Sequence, residues 1–249
     1  MKRSRIAFRT LGLIVLLLLL CLPVFGYSDE AIRWFDAGNA SIHNKNYTLA
    51  LEAFNHAIEE EPGYFEAWDA KADALNRAGE FTLALEASSQ ALKINPGYVH
   101  GWINRGQILY NLGYYYEDQL KNNEKADVYY LEQLLAFEKA IELDPENAEA
   151  WFNKGYALAG MKRYDEAITA FDTVQSLDPA YPNLGLSQKQ ARVLWDQATP
   201  IYVKYALPLA VMFLIVLAAG YILWKKRSDA IKKEDQEPKN RRARRKKEE

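Results

Sequence analysis

The chain has 249 residues, 49% of them hydrophobic, and a formal net charge of −2, so it is long enough to bury a core, although much of its apolar content lies at the two ends. The near balance of charge hides a segregation: Asp29 to Pro182 carries 26 acids against 12 bases, Met1 to Ser28 four bases and no acid, and Lys225 to Glu249 12 bases against 6 acids. The single cysteine, Cys21, excludes an intramolecular disulfide and any cysteine-based metal site.

At the N-terminus, Lys2, Arg3, Arg5 and Arg9 precede the uncharged run LGLIVLLLLLCLPVFG, Leu11 to Gly26. A basic start before such a run has the layout of a secretory signal, and residues 1–28 are read as a signal peptide or, if uncleaved, a signal anchor. Leu18, Leu19 and Leu20 before Cys21 lack the small residues of a lipoprotein motif, so Cys21 is not expected to be lipidated.

From Ala31 the chain is periodic. Trp34, Trp68, Trp102 and Trp151 are separated by 34, 34 and 49 residues, and Pro62, Pro96, Pro145 and Pro179 by 34, 49 and 34. A fixed period with this punctuation is the mark of a stacked helical array. The units run over residues 31–64, 65–98, 99–147 and 148–181. In each first helix an aromatic is followed four residues later by Gly38, Ala72, Gly106 or Gly155, which share one stripe and let a second helix approach closely through Ala50, Ala84 or Ala167. Phe54, Phe137 and Phe171 fill the gap, and the prolines end the second helices. Departures stand out: Ser88 takes the place of a bulky residue, Gln133 that of a small one, and Val174 is large for its position. The third unit also holds about 15 extra residues near 116–130, close to four turns at about 3.6 residues per turn. They read as a solvated loop, as lengthened helices, or as a partner-binding protrusion based on Tyr114, Tyr115, Tyr116, Tyr129 and Tyr130.

Residues 183–199 read as an amphipathic helix capping the last unit, with Leu186, Ala191, Leu194, Trp195 and Ala198 apolar. Between Lys204 and Lys225 lies YALPLAVMFLIVLAAGYILW, twenty residues without a charge, long enough at about 1.5 Å per residue to cross a bilayer as the helix 205–224. Lys225, Lys226, Arg227 and the run RRARRKK from Arg241 to Lys247 place the following tail, 225–249, in the cytoplasm, where its lack of apolar periodicity predicts disorder and contact with anionic lipid. The repeats are then expected outside the cytoplasm on a chain that spans the cell membrane once, or twice if the signal is retained.

The aromatic, small-residue and proline positions from Ala31 to Tyr181 resemble the tetratricopeptide repeat (TPR) family. The resemblance implies an all-α fold, a right-handed superhelical stack of helix-turn-helix hairpins, with a groove on the first helices. Carried over to this chain, groove positions are Phe35, Asn39 and His43 in the first unit, and Glu66, Asp69, Asp73 and Arg77 in the second. His100, Ile103, Gln107 and Tyr110 follow in the third, Phe152 and Tyr156 in the fourth. Relatives that take a peptide's terminal carboxylate use a Lys/Asn/Arg clamp, and Phe35 or Asp69 stands where the clamp would be, so such a ligand is not expected. An acidic groove suits a basic or neutral protein or peptide segment.

No nucleophile, base and orienting group are signalled together, His43, His56 and His100 lack ligand spacing, and no phosphate-cradling glycine loop occurs, so neither catalysis, metal, cofactor nor nucleic acid is expected. Asn46 lies in a glycosylation sequon in the turn between two helices, a better acceptor than Asn39 on the groove wall. The expected function is a membrane-anchored scaffold for protein or peptide binding; the alternative is a non-catalytic subunit of a membrane enzyme or secretion complex, docked through its span.

Overall fold

The structure, a computed structural model, describes residues 26–248, so the N-terminal segment on which the signal expectation falls lies outside the described residues. Among the described residues there are ten α-helices and no strand. Eight of them pair as hairpins: α1 (Asp29–His43) with α2 (Tyr47–Glu60), α3 (Phe65–Ala78) with α4 (Phe81–Ile94), α5 (Val99–Asp118) with α6 (Asn123–Leu143), and α7 (Ala148–Gly160) with α8 (Tyr164–Leu177). Each of these helices packs on its chain neighbours, and α3 also lies along α5.

Inside each hairpin the turn reverses through one residue of left-handed backbone: Lys45, Gly79, Lys121 and Lys162, with φ of 57°, 87°, 50° and 62°. The following amide reaches back to the helix it has left, as in Asn46 N to Ser41 O at 2.9 Å and Arg163 N to Leu158 O at 2.9 Å, which satisfies carbonyls that a helix end leaves open. Glycine takes this conformation without steric cost, and three of the four positions are lysine. Lys162→Gly is therefore expected to stabilise the array by about 0.5–1 kcal/mol in urea denaturation, offset in part by the freer unfolded chain.

Between hairpins a second turn recurs. Tyr64 N donates to Glu61 O, Tyr98 N to Asn95 O, Asn147 N to Asp144 O and Tyr181 N to Asp178 O, at 2.9–3.2 Å. It carries the contact that explains the shared spacing of tryptophan and proline. Trp68 Nε1 donates to Pro62 O at 3.2 Å, Trp102 Nε1 to Pro96 O at 2.8 Å and Trp151 Nε1 to Pro145 O at 2.8 Å. Each indole thus grips the carbonyl that closes the preceding repeat. Trp34 has no such partner upstream and instead lies against His56, ring centroids 4.6 Å apart.

The core is made of small residues and rings. Ala50, Ala57, Ala67, Ala84, Ala91, Ala140, Ala150 and Ala167 are fully buried, and Phe54, Phe137 and Phe171 are the largest side chains with no solvent contact. A Cβ on Gly38, Gly106 or Gly155 would overlap Phe54, Phe137 or Phe171 respectively, so each ring occupies the space left by a glycine of the facing helix. The extra residues of the third unit extend this scheme as helix. Gly113, seven residues after Gly106, meets Tyr130, seven before Phe137, with 2.7 Å between an added Cβ and the ring. Fifteen residues thus add about two turns to each helix, a near-integral number of turns that keeps the facing stripes in register.

After the hairpins come α9 (Leu184–Ala198) and α10 (Ile201–Glu248). The described residues divide into two compact units, one ending at Lys189 and one starting at Gln190. In the first, Leu184 is buried and Gln188 Nε2 donates to Asp172 Oδ1 at 2.9 Å, which ties the start of α9 to α8. In the second, Lys204 Nζ donates to Asp196 O and Oδ1 at 2.7 and 2.6 Å and sits over the Trp195 ring, bracing the turn at Pro200. Lys204–Ser228 of α10 is long and apolar enough to cross a membrane, with mean hydropathy 2.5, and none of it is buried. Beyond Ser228 the helix runs on to Glu248 through the charged stretch that contains Pro238.

Candidate functional site

The groove residues inferred from the resemblance divide into three sets. Ile103 is a core residue, packed with Phe137, Ala140, Ala150 and Ala157. Phe152 is turned between Phe171 and Tyr181, ring centroids 5.6 and 4.8 Å away, and Phe35 between Phe54 and Tyr64 at 5.9 and 5.0 Å. These three aromatic or aliphatic positions hold neighbouring helices together, and a ring flanked on both sides has little face left for a ligand.

A second set forms a polar seam between α3 and α5. Asp69 is only 3% exposed, and its Oδ1 accepts from Asn104 Nδ2 at 2.7 Å while its Oδ2 lies 2.9 Å from His100 Nδ1. Asn104 Nδ2 also reaches the Asp69 carbonyl at 3.2 Å. Asp69 is thus occupied inside the fold instead of lining the groove as a free acid. Nearby, Glu66 accepts from the Tyr27 hydroxyl at 2.7 Å; burial first and this bond second push the Tyr27 phenol well above its ordinary range. The hydrogen bond to Asp69 holds the His100 imidazolium above its ordinary pKa, against the opposing effect of burial. A raised folded-state pKa contributes stability that is fully present below the unfolded value and is lost as pH rises through the folded one. Wild type should therefore lose more stability than His100→Gln between about pH 5 and about pH 9 in urea titrations. The effect is small, because the His100 side chain is 65% exposed and solvent screens the pair.

The third set converges. Asp73 and Arg77 on α3, Gln107 and Tyr110 on α5 and Tyr156 on α7 line one cleft of about 280 Å³. Asn76, Asn111, Gln133, Phe137 and Asn153 complete it; none of these five came from the carried-over positions. Gln133 was visible in the sequence as a long polar residue where Ala50, Ala84 and Ala167 stand in the other units. The cleft is charge-balanced: Arg77 Nε donates to both Asp73 oxygens at 2.9 and 2.8 Å. Asn111 Nδ2 donates to Asn76 Oδ1 at 2.9 Å across α5 and α3. The close approach of α3 to α5 is not repeated between α5 and α7, which leaves the cleft its width. Asn39 and His43 lie on α1 and take no part in it; Asn39 is half-buried and His43 exposed.

Of the tyrosines at the base of the long hairpin, Tyr114 and Tyr115 are exposed, while Tyr116, Tyr129 and Tyr130 are half-buried. Tyr130 donates to Glu117 Oε2 and Lys125 Nζ donates to the Tyr116 hydroxyl, both at 2.7 Å, with Tyr116 and Tyr129 rings 5.3 Å apart. Asn46 is exposed and caps α2, its Oδ1 accepting from Leu49 N at 3.2 Å. Among the described residues no group of three or more His, Cys, Asp or Glu is placed to hold a metal ion.

Two family models, both described as tetratricopeptide repeat, match residues 35–99 and 136–169. An uncharacterized protein of Methanocaldococcus jannaschii is 45% identical over 58 residues, 23% of this chain, and the match spans 65% of that relative's length. Among solved structures, a thermophilic TPR protein of Thermus thermophilus superposes with a TM-score of 0.53 at 19% identity, covering 74% of this chain and 99% of the other. YrrB, a TPR protein with an unusual peptide-binding site, gives 0.51 at 22% identity, covering 64% and 74%. Residues 35–99 and 136–169 thus match tetratricopeptide repeat models, and the hairpins of the described residues have the fold of an all-helical solenoid like those of these solved structures.

Proposed function

We propose that the chain is a membrane-anchored repeat scaffold that displays its hairpins outside the cytoplasm and holds a protein or peptide segment, without catalysis of its own. The observation that carries the reading is the cleft on α3, α5 and α7, built from polar side chains with no reactive grouping among them. YrrB, whose fold this chain shares, has a peptide-binding site, which supports the same use of the hairpins here. The charge balance of Asp73 with Arg77 favours a neutral over a basic occupant. Anchoring is supported by the exposed apolar stretch Lys204–Ser228, and orientation by Lys225, Lys226 and Arg227 beside it. Asn46 would then be open to glycosylation, and the basic tail to anionic lipid.

The test is photocrosslinking from the cleft in the native membrane. A crosslinker at Gln107 should capture a defined neighbour that one at exposed Thr169 on α8 does not; equal capture from both sites, or none from Gln107, ends the reading. For orientation, protease added to intact cells should trim the repeats and spare the tail, and the reverse pattern overturns it. A docked, non-catalytic subunit is the second reading, favoured by the exposed Leu209, Phe213, Leu217 and Trp224 of α10. It is distinguished by a stoichiometric complex in mild detergent that survives removal of the repeats.

A further inference from the structure

Val128, Leu131 and Leu135 of α6 are 50%, 55% and 62% exposed, follow one another at three and four residues, and so form one apolar stripe. They lie on the side of the helix away from Gln133, Phe137 and Ala140, which are buried inside the hairpin. The other repeats supply the comparison. With Phe137 aligned to Phe54 and Phe171, and Gln133 to Ala84, the equivalents of Leu131 are Thr48, Thr82 and Asp165, and those of Leu135 are Glu52, Glu86 and Thr169, all exposed. Val128 corresponds to Lys45, Gly79 and Lys162 in the turns. The apolar face belongs to the long hairpin alone, and a contiguous exposed stripe marks a contact surface where scattered apolar residues do not.

We infer that this stripe is the interface of a symmetric dimer, in which α6 of one chain packs antiparallel on α6 of a second copy. A two-fold axis requires a surface that complements itself, and the charges around the stripe meet that requirement. Glu124 and Lys125 precede it, and Glu138 and Lys139 follow it, the same dipeptide fourteen residues on. An antiparallel arrangement that sets Val128 against the partner's Leu135 also sets Glu124 against the partner's Lys139 and Lys125 against the partner's Glu138. A parallel one would lay like charge on like. Lys125 and Glu138 are already engaged with Tyr116 and Lys154, so Glu124 and Lys139 are the pair that gains most from the contact. Among the described residues Glu124 has no ion pair of its own, and Lys139 has an exposed one to Glu142 that solvent screens. Glu132, beside the axis, has Arg105 of its own chain near enough to offset its charge. Three apolar residues a side fall short of the about 800 Å² per partner of a standard interface, so a weak, micromolar dimer is expected.

The test uses the purified full chain in detergent, with Cys21→Ser so that any introduced cysteine stands alone. Under mild oxidation Leu131→Cys, next to the axis, should give a disulfide-linked dimer, and Thr169→Cys on α8 should not. Chains with Val128→Cys should link to chains with Leu135→Cys more than to their own kind. Glu124→Lys or Lys139→Glu alone should lower trapping about fivefold, and the two together should restore it. Leu131→Thr with Leu135→Glu, the residues of the first two repeats, should abolish the dimer in sedimentation without lowering the thermal midpoint, which separates an interface from a core role. A chain that stays monomeric across the micromolar range, a dimer that survives this double change, or Val128→Cys linking best to itself overturns the inference. A monomeric chain that crosslinks from Leu131 to a foreign protein in the native membrane overturns it equally, by giving the stripe another occupant.

Discussion

Gly106→Ala is expected to destabilise the array by about 2 kcal/mol, the middle of the range for forcing extra volume into a packed core. The added methyl overlaps the Phe137 ring, which is itself fully buried and cannot swing into solvent. For a repeat array of this size the thermal midpoint should fall by roughly 4–8 °C. A double-mutant cycle with Phe137→Leu gives the sharper test. Alone, the leucine loses buried contact; beside the new methyl it makes room, so the two changes together should cost less than their sum. A strictly additive cycle would mean that the methyl finds space without the ring. The chain contains its own precedent in the second hairpin. There Ala72 stands where Gly106 does and Ser88 where Phe137 does, and Ile108 of the next hairpin packs beside Ala72. Methyl and ring are alternatives for one volume.

Asn104→Leu is expected to cost about 3 kcal/mol in urea denaturation. Asp69 is almost wholly buried, and Asn104 provides a donor to its carboxylate at 2.7 Å and to its carbonyl at 3.2 Å. Removing that donor leaves a buried charge answered by His100 and the Tyr98 hydroxyl alone, and under-compensated buried charge is among the most damaging changes a core can suffer. Asp69→Leu with Asn104→Leu should recover most of the loss, since two apolar groups can replace a satisfied polar pair at little cost. A single mutant that loses less than about 1 kcal/mol, or a double mutant no better than the single, would show that the seam between α3 and α5 is held by its apolar contacts instead.

Much of this architecture was legible in the chain. Pairs such as Gly38 with Phe54 and Gly155 with Phe171 follow from helical spacing alone, and the structure brings each pair together. The indole contacts were equally present, as a constant six-residue interval from Pro62 to Trp68, Pro96 to Trp102 and Pro145 to Trp151, but they show only once both periodicities are laid on one turn. Site positions were less readable. A position facing the groove in one repeat can be turned inward in another, because what covers it depends on the next hairpin. Ile103 meets Phe137 and Ala150, Phe152 meets Tyr181, and Asp69 meets Asn104, all partners distant in sequence. The long hairpin failed to declare itself for a related reason: YEDQLKNNEKADVYY is polar enough for a loop, and the Gly113–Tyr130 contact that makes it helical joins residues on the two separate helices of the hairpin.

The tryptophan-to-proline bonds give the array a direction. In every case the repeat nearer the C-terminus supplies the donor and the one before it supplies the acceptor. Shortening the chain from its C-terminal side would leave behind exposed carbonyls, which water satisfies readily. Shortening it from the other side would leave an indole N–H as Trp34 already stands, and at these exposed sites water satisfies that group too. Serial truncations should thus lose one such bond per junction whichever end is cut, with neither end favoured by the bond itself.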